Sequence, residues 1–245
     1  MPTTSVQLYS VRDAVAADLD GAVARLAETG LRHVEPYGFH ERTEDYRRAF
    51  DAADVTAPSG HAPVLGADAP EAIFDAAATL GMTTVIDPFV PAERWRTADQ
   101  VAEFAERVNL LARQAGERGL EFGYHNHHWE LSSRIDGRHA LEVFAGHLEP
   151  QVVLEVDAYW AAVGGADVPA LLTALGDRVR LLHVKDGTLD GDVGAQVPAG
   201  SGEVDVAGAL AAAPEATRVI EFDAYAGDVF AGIARSLAWL TENDR

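Results

Sequence analysis

The chain has 245 residues, of which 48% are hydrophobic and 24% charged, which is enough to bury one large core or two small ones. It contains no cysteine, so disulfides and thiolate metal sites are excluded and any metal must be held by oxygen and imidazole nitrogen. The formal net charge is −20, and because no cluster of lysine and arginine offsets it, the charge argues against nucleic acid as a partner.

Short apolar runs rich in β-branched residues alternate along the chain with Ala-rich amphipathic stretches. Eight runs predict strands: SVQLYS from Ser5, RHVEPY from Arg32, VTAPSGH from Val55, TTVIDP from Thr83, LEFGYHN from Leu120, VVLEVD from Val152, VRLLHVK from Val179 and TRVIEFD from Thr217. Helices are predicted between them, over residues 19–27, 99–118, 210–213 and 231–240 among others. Gly30 and Gly119 follow two of these helices as C-terminal signals.

Repeated strand–helix units predict parallel strands joined by right-handed crossovers. Eight units in a chain of this length predict an α/β fold, a single-domain (β/α)8 TIM barrel over residues 1–245. The competing architecture is an open, doubly wound sheet. No G-x-G-x-x-G motif follows the first predicted strand, and eight units exceed the usual six-strand plan, so the barrel is favoured.

Every predicted strand ends in polar or ionisable groups, at the end of the barrel where the chemistry of such folds is found. In order they are Gln7, Tyr9, Glu35, His61, Asp87, His125, His127, Asp157, His183, Lys185, Glu221 and Asp223, with Glu130 just beyond the fifth strand. Because strand side chains alternate, Glu155 shares a face with Asp157, which lies nearer the mouth. Inward carboxylates repel one another, and a divalent cation removes that repulsion, so we infer a metal.

Four segments carry a resemblance to a known family: VQLYSVRD, GYHNHHWEL, LEVDAYWAAVGGADVPALLTALGDRVRLLHVKDG and VIEFDAYAGDVFAGIARSLAWL. The chain resembles the xylose isomerase-like TIM barrels, the sugar phosphate isomerases/epimerases. The resemblance implies one divalent ion (Mn, Mg, Co or Zn) held by a Glu, Asp, His and Glu set, which maps to Asp157, His183 and Glu221. Many relatives carry Glu where this chain has His125, so the fourth ligand is open between Glu130, His125 and His127, and Glu130 is the ligand that we predict.

These features predict a divalent-metal-dependent isomerase or epimerase that acts on a small sugar or keto-sugar through an enediolate. Glu221, His125 and His127 are the predicted acid/base residues, and Lys185 the predicted contact to a substrate oxygen. Predicted substrate-binding residues are Gln7, Tyr9, Glu35, His61, Trp160 and Asp223. Tyr9, Trp160 and Phe89 fit an apolar wall against the sugar or simple packing at the rim, and Glu155 fits either a buried structural acid or a site residue.

Two other functions remain open. One is a lyase or dehydratase that acts on an inosose or a 3-keto-sugar (glycoside) by the same enolate chemistry, and the other is a non-catalytic sugar-binding or partner subunit. The acidic loop at residues 186–205 favours an unphosphorylated substrate and is long enough to be a lid or a plain surface excursion. Without a signal-peptide pattern or a long apolar run, we expect a cytoplasmic protein with no membrane contact, and a homo-oligomer is left open.

Overall fold

Strands and helices alternate along residues 3–244, the part of the chain that this computed structural model describes. The strands are β1 (Thr4–Val6), β2 (Ser59–His61), β3 (Thr84–Asp87), β4 (Glu121–His125), β5 (Arg134–Ile135), β6 (Arg138–His139), β7 (Val152–Asp157), β8 (Val179–Val184) and β9 (Thr217–Ile220). The helices are α1 (Arg12–Ala17), α2 (Leu19–Glu28), α3 (Thr43–Ala53), α4 (Pro70–Thr79), α5 (Ala98–Gly116), α6 (Trp129–Ser132), α7 (Ala140–His147), α8 (Ala158–Val163), α9 (Val168–Leu175), α10 (Val206–Ala212) and α11 (Val229–Asn243).

Seven of the strands form one parallel sheet in the order β1-β9-β8-β7-β4-β3-β2. The space between β1 and β2 is filled by residues 33–37, through isolated bridges of Gln7 with Glu35 and of Tyr37 with His61. Backbone hydrogen bonds of 2.8 to 2.9 Å join this segment to both neighbours. The strands therefore close into the predicted (β/α)8 barrel, with residues 33–37 in the position of the second strand.

The predicted strands from Arg32 and Val55 are less regular than expected. The first makes only isolated bridges, and the second is reduced to Ser59–His61. Each run contains a proline, Pro36 or Pro58, which has no backbone N–H to donate to the ladder. The hydrogen-bond pattern is therefore interrupted at these two positions although the chain follows the path of a barrel strand.

The interior of the barrel is layered. A lower layer consists of four buried apolar side chains, Ile86, Val153, Leu181 and Val219. Two residues further along three of these strands lie Glu155, His183 and Glu221, which are also buried. Because side chains on a strand repeat every two residues, an apolar floor and a polar upper layer follow directly from the alternation in the sequence.

The helices pack outside the barrel and agree with the predicted ones to within a few residues, except that α10 is longer than residues 210–213. A short hairpin of β5 and β6 was not predicted. Its turn is Asp136–Gly137, with φ of 50° and 81°, a dipeptide typical of tight hairpins. Within residues 3–244, none of the helices combines the length and the apolar character that crossing a bilayer requires.

Candidate active site

The register of the sheet sets the depth of each polar side chain. His125 lies opposite Glu155 in the β4–β7 pair, and Asp157 lies opposite His183 in the β7–β8 pair. Asp157 also begins α8, where its Oδ1 accepts a hydrogen bond from Trp160 N at 2.9 Å. The hydrogen bond to the first turn of α8 thus holds the Asp157 carboxylate in place. Its other oxygen, Oδ2, is then directed toward the barrel mouth.

Four side chains converge at the mouth, and we call His125, Asp157, His183 and Glu221 the mouth group. Each offers a ligand atom, these atoms all lie within 4.8 Å of one another, and all four residues are buried. His183 Nδ1 is 2.8 Å from Glu221 Oε2 and 4.0 Å from Asp157 Oδ2, and His125 Nε2 is 3.9 Å from that same Asp157 oxygen. A group of this size and composition fits a divalent ion.

Lys185 lies beside the mouth group and is fully buried. Its Nζ is 2.8 Å from Asp157 Oδ2, 2.6 Å from Glu221 Oε2 and 2.8 Å from Asp223 Oδ2. Burial alone would lower the pKa of Lys185, but attraction to the three carboxylates outweighs it and raises that pKa well above the ordinary value. Burial likewise acts to raise the pKa of Glu221, and the charges of Lys185 and His183 outweigh it and lower that pKa. The site therefore presents an ammonium beside ionised carboxylates.

A second polar cluster lies beneath the mouth group. Glu155 Oε2 is 2.5 Å from His61 Nε2 and 3.1 Å from His125 Nδ1, and Glu35 accepts from Gln7 Nε2 at 2.9 Å and from the hydroxyl of Ser59. Burial alone would lower the pKa of His61, but the charges of Glu155 and Glu35 raise it to about 10. Gln7, Glu35 and His61, predicted to bind substrate, are thus engaged with other buried side chains of the barrel interior.

Glu130 does not join the mouth group. Its Oε1 accepts from the Tyr124 hydroxyl at 2.6 Å and its Oε2 from His127 N at 2.9 Å. Burial raises the pKa of Glu130 to about 8, so near neutral pH the side chain is mostly a protonated acid. A neutral carboxylic acid with both oxygens occupied is a poor metal ligand, and the geometry offers His125 in its place.

His127 faces the mouth as a neutral imidazole. It stacks on Trp129 with ring centroids 4.4 Å apart, and its Nδ1 is buried with no partner among the described residues. Burial, together with the neighbouring His125, lowers the pKa of His127 to about 2. The ring is therefore suited to a hydrogen bond with a ligand hydroxyl rather than to donating a proton as an imidazolium.

A cavity of about 450 Å³ opens above these groups. It is lined by Tyr9, Tyr37, Gly38, His61, Ala62, Pro63, Pro88, Phe89, His125, His127, Glu221 and Asp223, and none of them is a lysine or an arginine. The rings of Tyr9 and Tyr37 meet edge to face at 5.4 Å. Trp160 is almost fully buried and does not line the cavity, although its ring lies 5.7 Å from Lys185 Nζ. A larger groove of about 930 Å³ lies outside the barrel against α5, away from the mouth group.

The loop at residues 186–205 is held by hydrogen bonds at several points. The buried carboxylate of Asp186 accepts from the backbone N–H of Gly202 at 2.8 Å and of Val204 at 3.1 Å. The side chain of Gln196, also buried, accepts from Asp223 N and donates to Asp223 Oδ2, both at 2.8 Å. The loop therefore supports Asp223, and through it Lys185, from the side.

Several residues of the site were not singled out in the sequence. Ser59, Tyr37 and Gln196 carry no motif, and Gln196 reaches the site only because its loop folds back. The sequence did indicate Glu155, since it shares a strand face with Asp157. Its contact with three histidines, however, depends on the register between neighbouring strands. That register is not readable from one chain.

A family model described as the xylose isomerase-like TIM barrel matches residues 16–242. Among curated proteins, no sequence matches the chain significantly. A sugar phosphate isomerase/epimerase from Parabacteroides distasonis ATCC 8503 has a similar structure, with a TM-score of 0.82 and 23% identity over 98% of this chain and 93% of the other.

Two further solved structures are similar. The probable 3-DHS dehydratase AsbF from Bacillus anthracis has a TM-score of 0.75 and 14% identity over 98% of both chains. The IOLI protein, solved with a bound zinc atom, has a TM-score of 0.75 and 13% identity over 99% of this chain and 98% of the other. At these identities the likeness establishes the fold.

Proposed function

Because the chain belongs to the xylose isomerase-like TIM barrel family, we propose that it is a divalent-metal-dependent isomerase or epimerase of a small, unphosphorylated sugar or keto-sugar. The observation that carries the proposal is the convergence of His125, Asp157, His183 and Glu221 on one point at the barrel mouth. Active sites of (β/α)8 barrels lie at this end. The similar structures of a sugar phosphate isomerase/epimerase and of a zinc-bound protein support the reaction class and the metal.

The mouth group fits a divalent ion on its own chemistry. It supplies two imidazole nitrogens and two carboxylates within 4.8 Å, with buried carboxylate charge that is balanced only in part by Lys185. A carboxylate beneath the histidines accepts from their far ring nitrogens, as metal-ligating histidines require. A bound ion would supply Lewis acidity at the substrate's carbonyl oxygen.

Glu221 is the proposed base. Its carboxylate is ionised, lines the cavity and would take the proton from the carbon beside the carbonyl, giving an enediolate, and then return it. The ammonium of Lys185, 2.6 Å from Glu221 Oε2, would donate to the oxygen on which negative charge develops. In this scheme His125 would ligate through Nε2 and donate to Glu155 from Nδ1, so it has no free ring nitrogen for a base, whereas Glu221 keeps a second carboxylate oxygen.

The cavity supports a neutral sugar as substrate. Tyr9 and Phe89 are exposed aromatic rings among the residues that line it, and the neutral imidazole of His127 also lines it. No lysine or arginine lines the cavity to hold a phosphate, and Lys185 is already surrounded by three carboxylates. The surface therefore matches a polyhydroxylated, uncharged molecule of one sugar ring or its open chain.

The test is exchange of substrate hydrogen with solvent. Metal-loaded protein is incubated with a panel of keto-sugars and inososes in deuterated water, and NMR follows deuterium incorporation at the carbon beside the carbonyl. We expect at least one sugar to exchange and a Glu221→Gln variant to lose most of that rate, about 100-fold or more, because the proton acceptor is gone.

The matched control is Glu121→Gln, the same chemical change at a half-exposed position at the other end of β4. This variant should keep the wild-type exchange rate. Exchange that is equally fast in chelator-treated, demonstrably metal-free protein would contradict metal dependence. Absence of exchange across the panel in metal-loaded protein would contradict the reaction class.

A lyase or dehydratase is the second candidate, and one observation favours it. Loss of a β-hydroxyl needs a proton donor beside the base, and the buried ammonium of Lys185 lies next to Glu221. The structural likeness to a probable dehydratase supports the same reading. Loss of water or of an aglycone in the NMR experiment, rather than hydrogen exchange with every C–O bond intact, would identify this activity.

A further inference from the structure

Glu155 occupies a central position below the mouth group. It lies on β7 two residues before Asp157 and on the same face, and it is almost completely buried. Its Oε2 is 3.1 Å from His125 Nδ1, 3.1 Å from His183 Nε2 and 2.5 Å from His61 Nε2. One carboxylate oxygen therefore faces three imidazole rings, while its Oε1 has no partner among the described residues.

The contacts decide which ring nitrogen faces the mouth. An imidazole that ligates an ion is neutral, with one N–H and one lone pair, so a ring that donates to Glu155 from one nitrogen would present its lone pair to the ion from the other. The upward nitrogens are His125 Nε2 and His183 Nδ1, the two atoms that lie near Asp157 and Glu221. His183 Nε2 also lies 3.0 Å from Glu35 Oε1, so its N–H is shared between two carboxylates and held more firmly.

The mouth group differs from the set that the family resemblance implies, because His125 stands where many relatives carry Glu. The donor set becomes two nitrogens and two carboxylates in place of one nitrogen and three carboxylates. Glu155 places a further negative charge against the far ring nitrogens of His125 and His183. Imidazole ligands suit zinc and cobalt, whereas an all-oxygen or oxygen-rich set suits magnesium and manganese.

We propose that Glu155 is a positioning residue that orients His125 and His183 from beneath, and that the resulting two-nitrogen, two-carboxylate site takes Zn²⁺ or Co²⁺ in preference to Mn²⁺ or Mg²⁺. The inference rests on the proposed metal-dependent function and deepens it by assigning the metal class. Glu155 does not touch the ion or the substrate in this arrangement, and it acts only through the two rings.

The same cluster offers one competing arrangement. His61, His125, Glu155 and His183 also have ligand atoms within 4.8 Å of one another, so an ion could lie below the mouth group and use Glu155 directly. In that case His61 would be a ligand and Asp157 would not. The two arrangements therefore predict opposite effects for His61→Ala and Asp157→Asn, and our proposal requires Asp157→Asn to have the larger effect on affinity.

The test measures metal affinity without any substrate. Chelator-treated full-length protein is titrated separately with Zn²⁺, Co²⁺ and Mn²⁺ in competition with a chromophoric chelator, and bound metal per chain is counted by mass spectrometry of the element. We expect one ion per chain. Glu155→Gln should weaken binding of every ion by about 10- to 100-fold, because the amide no longer fixes both rings.

His125→Glu should shift the metal preference, and this variant tests the donor set. The ratio of Co²⁺ to Mn²⁺ affinity should fall by about tenfold or more, because a nitrogen ligand is replaced by oxygen. Glu121→Gln is the matched control and should change neither affinity nor ratio. An unchanged ratio in His125→Glu, or unchanged affinity in a folded Glu155→Gln variant, would overturn the proposal.

A wild-type measurement covers the case in which a variant does not fold. Cu²⁺ bound at the site is examined by pulsed EPR, in which the remote ring nitrogen of each ligating imidazole gives a countable modulation. Two imidazoles are expected, and one or three would overturn the proposal, as would two ions per chain. Failure of the proposed function can be told apart from failure of this proposal. If only the function were wrong, the metal affinities would be as predicted but no sugar would exchange hydrogen with solvent.

Discussion

At the scale of single residues, the site combines many ionisable groups that are almost completely buried. Glu35, Glu155, Asp157, His183 and Lys185 are all buried to within about one per cent. A buried charge is costly unless it is paired, and each of these side chains has at least one partner of opposite or complementary type. The network therefore limits which single changes the barrel interior tolerates, and changes that remove one member should cost more than changes that keep its shape.

Glu130 is the residue on which prediction and geometry differ most, so its variant is informative. In Glu130→Gln the amide can accept from His127 N and donate to the Tyr124 hydroxyl, which keeps the local contacts. Because Glu130 is not part of the mouth group, we expect the variant to bind as much metal as the wild type, whereas Asp157→Asn loses metal. Elemental analysis after dialysis measures both, and a metal-depleted Glu130→Gln protein would restore Glu130 as a ligand.

The same variant tests the protonation of Glu130. Burial raises its pKa to about 8 from an ordinary value near 4.5, so the native state holds a proton that the unfolded state releases between these two values. Stability from this residue is therefore greatest at low pH and falls as the pH rises from about 4.5 to about 8. Glu130→Gln should remove that part of the pH dependence, on the order of a few kcal/mol between pH 5 and pH 8.

Urea unfolding at four pH values between 5 and 8 measures this difference. Glu121→Gln alters a half-exposed carboxylate at the start of β4, the strand that precedes Glu130. It is the control, and its stability should change with pH as steeply as that of the wild type. A Glu130→Gln protein whose stability falls with pH as steeply as the wild type would mean that Glu130 is ionised in the native state.

At the scale of elements, side chains alternate between the two faces of each strand, and this alternation determines which residues point into the site. Glu155 and Asp157 were predicted to share a face, and both lie on the inward face at successive depths. The same two-residue spacing places Lys185 beyond His183 and Asp223 beyond Glu221. The strand count and barrel closure were also predictable, because they follow from the repeated pattern of apolar runs and helices.

Other elements could not be predicted from one chain. The partners of Glu130 and Glu155 depend on how far each strand is displaced along its neighbour, and no local pattern encodes that displacement. The irregular segment at residues 33–37 could have been foreseen from Pro36, since proline interrupts a ladder. The Asp136–Gly137 turn was likewise readable as a hairpin signal.

β4 carries a glycine that the sheet requires. A Cβ at Gly123 would lie 2.3 Å from Val153 O and 2.7 Å from Val153 Cγ2 on the adjacent β7. The Gly123→Ala variant should therefore push the two strands apart and lose about 1–3 kcal/mol of stability. Since His125 lies two residues along on the same face, metal affinity should fall as well.

Gly116 at the end of α5 is the matched control for this change. A Cβ there meets nothing within 4 Å, and the backbone is helical, so Gly116→Ala should be neutral or gain about 0.5–1 kcal/mol. Denaturant unfolding with metal titration compares the two variants. If Gly123→Ala were as stable as Gly116→Ala, the result would contradict the close approach of β4 to β7 at Gly123 and Val153.

At the scale of the whole molecule, two arginines brace the end of the barrel opposite the mouth. Arg218 is buried and donates to Ala213 O and Ala216 O, while its other guanidinium nitrogens bind both oxygens of Asp244 after α11. Arg178, which directly precedes β8, donates to three backbone carbonyls that precede and begin β7. These two arginines thus stabilise the end of the barrel opposite the mouth group.

The overall charge of −20 sets the last expectation. The chain has nineteen basic and thirty-nine acidic residues. Because the folded chain is more compact than the unfolded one, the excess negative charges repel one another more strongly in the folded state. Salt shortens the range of this repulsion, from roughly 30 Å at 0.01 M to roughly 3 Å at 1 M. We therefore expect the thermal midpoint at pH 7.5 to rise by several degrees between 20 and 500 mM sodium chloride, measured by circular dichroism on metal-free protein.

The same titration at pH 5 is the control, because the sequence pI is about 4.6 and the net charge there is small. At that pH little repulsion remains to be screened, so the salt-dependent rise should largely disappear. A rise of equal size at both pH values would assign the effect to preferential exclusion of salt rather than to screening. A midpoint that falls with salt at pH 7.5 would mean that attractive surface pairs, such as those of Arg47 and Arg48 on α3, outweigh the net repulsion.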